Sequence, residues 1–144
     1  MNREEIRQIL PHREPMLLVD EAVLDAEGAA RGKYHVKGDE WFLQGHFPGF
    51  PVVPGVVLCE IIAQSSCALF AEEMADVLPM YTGLNNVKFR GSVRPGDTFE
   101  TKITIKRRLA NIVFLNGEGF VNGKKCVSGE FSFALVNKDQ AFKG

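Results

Sequence analysis

The sequence predicts an α+β fold in which an antiparallel sheet curls around one buried helix. One long apolar helical stretch stands in the middle of the chain, alternating strands with short connections follow it, and two extended segments precede it. The chain has 144 residues, of which 45% are hydrophobic, and shows no internal repeat or linker. We therefore expect a single domain over residues 1–144.

The segments before the central helix are short. Residues 2–10 carry apolar side chains at helical spacing and are stopped by Pro11, which predicts a first helix. Residues 16–23 and 30–36 are predicted to be extended. The stretch 45–55 contains Pro48, Pro51 and Pro54, and is predicted to be irregular because proline lacks a backbone donor.

The central and carboxyl-terminal elements have clearer patterns. Residues 56 to about 75 contain no Gly or Pro and are apolar nearly all round at their start, which predicts one long, enclosed helix. Residues 97–107 alternate between apolar and polar side chains, as a half-buried strand does. Strands over 112–121 and 124–136 are predicted to form a hairpin at Asn122-Gly123, since this dipeptide tolerates positive φ.

Charge and cysteine content exclude several classes of function. Seventeen basic and eighteen acidic residues give a net charge of −1, which argues against nucleic acid or anionic membranes as partners. Cys59, Cys67 and Cys126 form no CxxC pair, which argues against a disulfide framework and a zinc site. The charged amino terminus does not read as a secretory signal, and Glu60 interrupts the longest apolar region. We expect a soluble cytoplasmic protein.

The segment GHFPGFPVVPGVVLCE, residues 45–60, holds the candidate chemistry. Its prolines stiffen the backbone around His46, and Gly55 leads into the helix, whose first amides lack intrahelical acceptors. Glu60 is the one ionisable group in the opening turns, and Gln64 lies one turn further on the same face. A histidine, a buried carboxyl group with a raised pKa and free amides can together move a proton beside a carbonyl group.

Each of these residues also has a purely structural interpretation. His46 could be a packing residue of the loop, and Glu60 could favour the positive end of the helix dipole while facing water. Gln64 could be a satisfied core polar group, and Gly55 could serve only the turn. The residue types and their spacing leave both interpretations open.

Three blocks of the chain resemble one known family. GHFPGFPVVPGVVLCEIIAQ, LPHREPMLLVD (residues 10–20) and VKFRGSVRPGD (residues 87–97) are similar to motifs of the bacterial 3-hydroxyacyl-[acyl-carrier-protein] dehydratases of type II fatty acid synthesis, the broad-chain-length, FabZ-type branch. The blocks stand in family order and span most of the chain. The resemblance implies a hot-dog fold, in which an antiparallel sheet wraps a long central helix.

The resemblance also implies roles for four residues. His46 matches the catalytic histidine and Glu60 the catalytic carboxylate, and in the family these two groups come from different subunits of a dimer. Gly55 matches the glycine whose amide binds the thioester carbonyl, and Gln64 matches a polar position of the substrate site to which we assign orientation. The implied assembly is a homodimer or a trimer of dimers.

The reaction that the resemblance implies is reversible loss of water from a (3R)-3-hydroxyacyl thioester to give the trans-2-enoyl thioester. The carbonyl group itself activates the α-carbon, so no metal and no organic cofactor is expected. Proton transfer could use both His46 and Glu60 or His46 alone. The implied partner is acyl carrier protein with a phosphopantetheine-linked acyl chain, and because that protein is acidic, Lys88, Arg90 and Arg94 are the candidate docking residues.

Three alternatives remain at this stage. A dehydratase with added trans-2/cis-3 isomerase activity is one, although that branch usually has Asp where this chain has Glu60. A non-catalytic acyl-thioester binding module is the second, and it would leave the presence of both His46 and Glu60 unexplained. A hot-dog thioesterase is the third, although thioesterase families generally lack the HFPG and PGV blocks. Two departures from the family pattern, Ile61-Ile62-Ala63 and Gly91-Ser92, leave the preferred acyl length open.

Overall fold

The computed structural model describes residues 1–140, and its largest element is a six-stranded antiparallel sheet. In chain order the strands are β1 (Glu21–Leu24), β2 (Ala30–His35), β3 (Val77–Phe89), β4 (Thr98–Leu109), β5 (Ile112–Val121) and β6 (Lys124–Asn137). Their spatial order is β1-β2-β4-β5-β6-β3, so β1 and β3 are the two edges of the sheet.

The sheet encloses one helix. Besides the short α1 (Arg3–Arg7), the chain forms α2 (Gly55–Ser65), which packs against β2, β4, β5 and β6. Leu58, Ile61 and Ile62 of α2 are buried in the core. The α+β class and the sheet around a central helix are therefore confirmed. Within residues 1–140 no helix is long and apolar enough to span a membrane.

The central helix is shorter than predicted. It ends at Ser65 after 11 residues and continues only as a 3₁₀ turn over Ser66–Leu69, so the prediction of a long helix to residue 75 was wrong. The Ser65 hydroxyl donates to the Ile61 carbonyl at 2.7 Å, and the Ser66 hydroxyl donates to the Ala63 carbonyl at 2.6 Å. Such hydroxyls compete for the carbonyls that continue a helix, and they loosen its last turn.

Several predicted strands are confirmed, among them the 30–36 strand before the helix, which is observed as Ala30–His35. The 112–121 strand is confirmed, as is the hairpin, where Asn122 has φ 51° and Gly123 has φ 77°. By contrast, only Glu21–Leu24 of the predicted 16–23 strand is a strand, and α1 is shorter than the predicted 2–10 helix. Strand β3 was not predicted at all.

Gly32 on β2 allows the close approach of α2. A Cβ atom at Gly32 would lie 2.5 Å from Ser65 Oγ and 2.7 Å from Thr101 Oγ1. We predict that Gly32→Ala lowers the free energy of unfolding by about 1–3 kcal/mol, because the added methyl group must displace packed atoms. Urea denaturation measures this change. Gly91→Ala is the matched control, since its nearest neighbour, Cys126 Sγ, is 3.4 Å away, and an equal loss in both variants would contradict the prediction.

Candidate active site

His46 lies in a loop that closes on itself before α2. The Val52 amide donates to the His46 carbonyl at 3.0 Å, and the Phe50 amide donates to the Phe47 carbonyl at 2.8 Å. His46 Nδ1 is 3.0 Å from the Val52 carbonyl oxygen. Because a carbonyl oxygen only accepts, Nδ1 carries the hydrogen in this contact. The other ring nitrogen, Nε2, then presents a lone pair that can take up a proton.

A shallow groove joins His46 to the start of α2. Gly55, Phe89, Gly91 and Ser92 are among the residues that line this groove with His46. The helix begins at Gly55, so the amides at this end lack intrahelical acceptors and carry the positive end of the helix dipole. A Cβ atom at Gly55 would lie 2.8 Å from Phe89 Cε1, so glycine lets the Phe89 ring cover the helix terminus. The groove can thus accept an oxygen anion beside a proton acceptor.

Glu60 and Gln64 line a separate cavity of about 450 Å³. Gln64 is buried, and its Nε2 donates to Glu60 Oε2 at 2.8 Å and to the Met16 carbonyl at 2.8 Å. Gln64 Oε1 accepts from the Leu18 amide at 2.8 Å. The amide group of Gln64 therefore fixes the Glu60 carboxylate and the chain segment before β1 at the same time. This arrangement fits an orienting role.

The electrostatic environment of Glu60 differs from our expectation. Burial raises the pKa of Glu60, but contacts with His12, Gln64 and Tyr81 lower it by more, and the pKa falls below its ordinary value. The expected rise in the Glu60 pKa was therefore wrong, because hydrogen-bond donors to the charged form outweigh desolvation. Burial and the Glu60 charge raise the pKa of Tyr81, which stays protonated. Glu60 is ionised at neutral pH.

The predicted site residues form two pairs rather than one cluster. His46 and Gly55 share the groove, while Glu60 and Gln64 share the cavity. In residues 1–140, the groove and the cavity have no lining residue in common. In the same residues, no group of three or more His, Cys, Asp or Glu side chains is placed to hold a metal ion.

Two neighbours of Glu60 had no assigned role from the sequence. His12 Nε2 lies 3.5 Å from Glu60 Oε2, and Tyr81 lines the same cavity. Both residues are distant from Glu60 along the chain, so no local spacing connects them with the carboxylate. The one available signal was that His12 stands within the LPHREPMLLVD block.

Comparison with known proteins identifies the family. The family model described as FabA-like domain matches residues 10–130. The chain is 40% identical over 124 residues to 3-hydroxyacyl-[acyl-carrier-protein] dehydratase FabZ of Pseudothermotoga lettingae, covering 86% of this chain and 89% of that protein. This chain belongs to the FabZ dehydratase family. A FabZ of Clostridium perfringens is 39% identical over 137 residues, with 94% of this chain and 99% of that protein covered.

Solved structures support the fold. A chain of the dehydratase heterocomplex ApeI:P from Xenorhabdus doucetiae superimposes with a TM-score of 0.81 at 20% identity, covering 96% of this chain and 95% of that one. The E. coli PaaI protein gives a TM-score of 0.61 at 13% identity, with 79% and 81% covered. These neighbours confirm the hot-dog fold, and the FabZ relatives confirm the resemblance seen in the three sequence blocks.

Proposed function

We propose that this FabZ-family enzyme removes water from (3R)-3-hydroxyacyl-[acyl-carrier-protein] at a site that two copies of the chain build together. The observation that carries this proposal is the division of the site residues. The His46 groove holds a histidine and a free helix terminus, and the Glu60 cavity holds an ionised carboxylate with its orienting amide. The groove lacks a carboxylate, and the cavity lacks the His46 base and the free helix amides.

Strand β3 supports a second copy as the missing partner. It is an edge strand, and an exposed edge offers unpaired backbone groups to another strand. Its amino-terminal part carries Met80 and Tyr81 at the Glu60 cavity, and its carboxyl-terminal end carries Phe89 at the His46 groove. Antiparallel pairing of two β3 strands about a two-fold axis would therefore place the His46 groove of one subunit beside the Glu60 cavity of the other.

Exposed apolar side chains support the same interface. Phe50 is 78% exposed and Val56 is 73% exposed, and both lie close along the chain to residues that line the His46 groove. Leu84 and Phe89 on β3 are also about half exposed, at 50% and 52%. Large apolar surfaces of this kind mark contacts between proteins. A dimer completes the site, and a trimer of dimers is a further assembly that light scattering would distinguish from the dimer by mass.

The geometry supports a specific order of proton transfers. The thioester carbonyl binds at the amide of Gly55, which makes the α-hydrogen acidic, and His46 Nε2 removes that proton. The ionised Glu60 of the partner subunit accepts a hydrogen bond from the 3-hydroxyl group and orients it. The C–O bond then breaks, the C=C bond forms, and the hydroxide leaves as water with the proton that His46 returns. His46 ends neutral, as it began.

The Glu60 cavity is suited to hold the acyl chain. Beyond Glu60 its walls are mainly apolar and include Leu10, Phe70, Met74 and Phe133. An apolar acyl chain gains free energy when such a cavity removes it from water. We infer that this cavity shelters the chain during the reaction.

A basic groove next to the His46 groove is the proposed docking site for the carrier protein. Arg90, Lys124 and Lys125 line it, and it shares Gly91 and Ser92 with the His46 groove. Lys88 and Arg94 are exposed but do not line this groove. A phosphopantetheine phosphate bound by these cations would lie at the entrance of the proposed site. Of the three docking candidates from the sequence, only Arg90 lines this groove, and Lys124 and Lys125 take the place of Lys88 and Arg94 in the proposed docking site.

Charge reversal tests the docking site. We predict that Arg90→Glu with Lys124→Glu raises the KM for carrier-linked substrate by about 3- to 10-fold with little change in kcat, because exposed charges mainly steer encounter. The KM for the same acyl group on free pantetheine should stay constant. Lys33→Glu on β2 is the control, as it is exposed and lines neither groove. Equal effects on the two substrates would contradict the docking site.

The reaction itself is tested with 3-hydroxybutyryl-carrier protein and mass spectrometry. We expect the product to be lighter by one water, and chromatography of the acyl group should show the trans-2-enoyl thioester. Formation of the cis-3-enoyl thioester would show that the enzyme also has isomerase activity. Release of free thiol would indicate a thioesterase, and binding without conversion would indicate a non-catalytic module.

A further inference from the structure

His12 comes from a segment distant along the chain and lies against the Glu60 carboxylate. Its Nε2 is 3.5 Å from Glu60 Oε2, the same oxygen to which Gln64 Nε2 donates at 2.8 Å. Both polar contacts thus converge on Oε2. The Glu60 carboxylate lines the cavity together with Tyr81.

The protonation pattern of the His12 ring follows from its surroundings. Nδ1 is buried and has no hydrogen-bond partner within residues 1–140. A hydrogen on Nε2 faces the carboxylate and leaves only a lone pair on the buried Nδ1, whereas the opposite tautomer would bury an unpaired N–H and turn a lone pair toward the negative charge. His12 then turns this N–H toward Glu60 Oε2 at 3.5 Å, where its positive end favours the ionised carboxylate.

The segment that carries His12 is held firmly on both sides. Arg3 contacts Glu14 at 2.8 Å and Asp20 at 3.1 Å, and Arg3 Nη2 donates to the Leu17 carbonyl at 3.0 Å. Gln64 bonds the same segment from the side of α2. The imidazole is therefore placed against Glu60 by contacts that do not depend on substrate.

We propose that His12 is a positioning residue for the dehydration: together with Gln64 it holds the Glu60 carboxylate by Oε2, in the orientation that accepts the substrate hydroxyl. This proposal rests on the proposed function. His12 needs no contact with the substrate, since it acts through Glu60. The other groups near Glu60 in residues 1–140 include Gln64, Tyr81 and the thiols of Cys59 and Cys67. Burial raises the pKa of Cys67 to about 12, so this thiol adds no charge.

The test compares His12→Phe with His12→Gln, since glutamine keeps a donor and cannot titrate. We expect His12→Phe to lower kcat by about 10- to 100-fold with KM nearly unchanged, because a misplaced carboxylate orients the hydroxyl poorly. Infrared difference spectra against Glu60→Gln should show Glu60 becoming protonated at a higher pH in His12→Phe than in the wild type. His12→Gln should recover most of the kcat and the low pKa of Glu60.

Control variants distinguish a positioning role of His12 from a purely structural role. His35→Phe changes a histidine that lies on β2 with its Nδ1 3.0 Å from Thr98 Oγ1, and it should leave kcat and the infrared titration unchanged. A wild-type kcat in His12→Phe, or an unshifted Glu60 titration, would overturn the positioning role. A purely structural role would lower kcat equally in the Phe and Gln variants and leave the Glu60 titration unmoved. Absence of dehydration in the wild type would instead refute the proposed function.

Discussion

His46→Ala is expected to lower kcat by about 10²- to 10⁴-fold, because it removes the group that takes the α-proton. The loop that carries His46 is closed by backbone hydrogen bonds, such as the one from the Val52 amide to the His46 carbonyl, so the variant should keep its fold. The substrate should still bind, since the Gly55 amide and the acyl cavity are unchanged. Rapid-quench assays with carrier-linked substrate, together with thermal melting, measure both effects.

The control for His46 is His35→Ala. This histidine is exposed on β2 and lines neither the groove nor the Glu60 cavity, so its loss should leave kcat within a small factor of the wild type. If His46→Ala retained the wild-type rate while folding normally, another base would have to remove the α-proton. The structural interpretation of His46 as a packing residue would then stand.

Glu60→Gln is expected to lower kcat by about 10²-fold, because a neutral amide cannot provide the charged acceptor for the substrate hydroxyl. The volume of the side chain is nearly conserved, so the cavity and the contact with Gln64 should persist. Glu72→Gln is the control, since Glu72 is exposed and does not line the Glu60 cavity. A rate for Glu60→Gln equal to that of the wild type would show that the carboxylate takes no part.

Glu60→Gln should also change how stability depends on pH. The pKa of Glu60 in the folded chain lies below its ordinary value, so its ionised form stabilises the fold above that value. This contribution is lost as the pH falls through the lowered pKa. Urea denaturation at a series of acidic pH values should therefore show a shallower decline for Glu60→Gln than for the wild type.

Sequence patterns predicted the regular parts of the fold and missed the parts that tertiary contacts determine. The 112–121 strand and the Asn122-Gly123 turn follow from alternation and from a local φ requirement, and both are confirmed. Strand β3 contains Pro79 and Gly83 and has bulges, so it shows no alternating pattern. The end of α2 depends on hydroxyl contacts with carbonyls that propensity alone does not reveal.

The candidate site was predictable only in part for the same reason. The contact between Glu60 and Gln64 follows from helical spacing, and the loop between His46 and Gly55 is a single segment. The contact between His12 and Glu60 depends on how a distant segment packs on α2. Together with Gln64 and Tyr81, His12 reverses the expected direction of the Glu60 pKa shift. Residues that meet only through tertiary contacts, such as His12 and Glu60, show no regular spacing along the sequence from which their contact could be predicted.

Each site is proposed to take His46 from one subunit and Glu60 from the other. Mixing the inactive His46→Ala and Glu60→Gln proteins under conditions that allow subunit exchange tests this arrangement directly. Random exchange makes half of the dimers mixed, and each mixed dimer has one intact site of two, so about one quarter of the wild-type activity should return. If His46 and Glu60 of the same subunit formed the site, mixing would restore no activity, and that result would rule out a site shared between subunits.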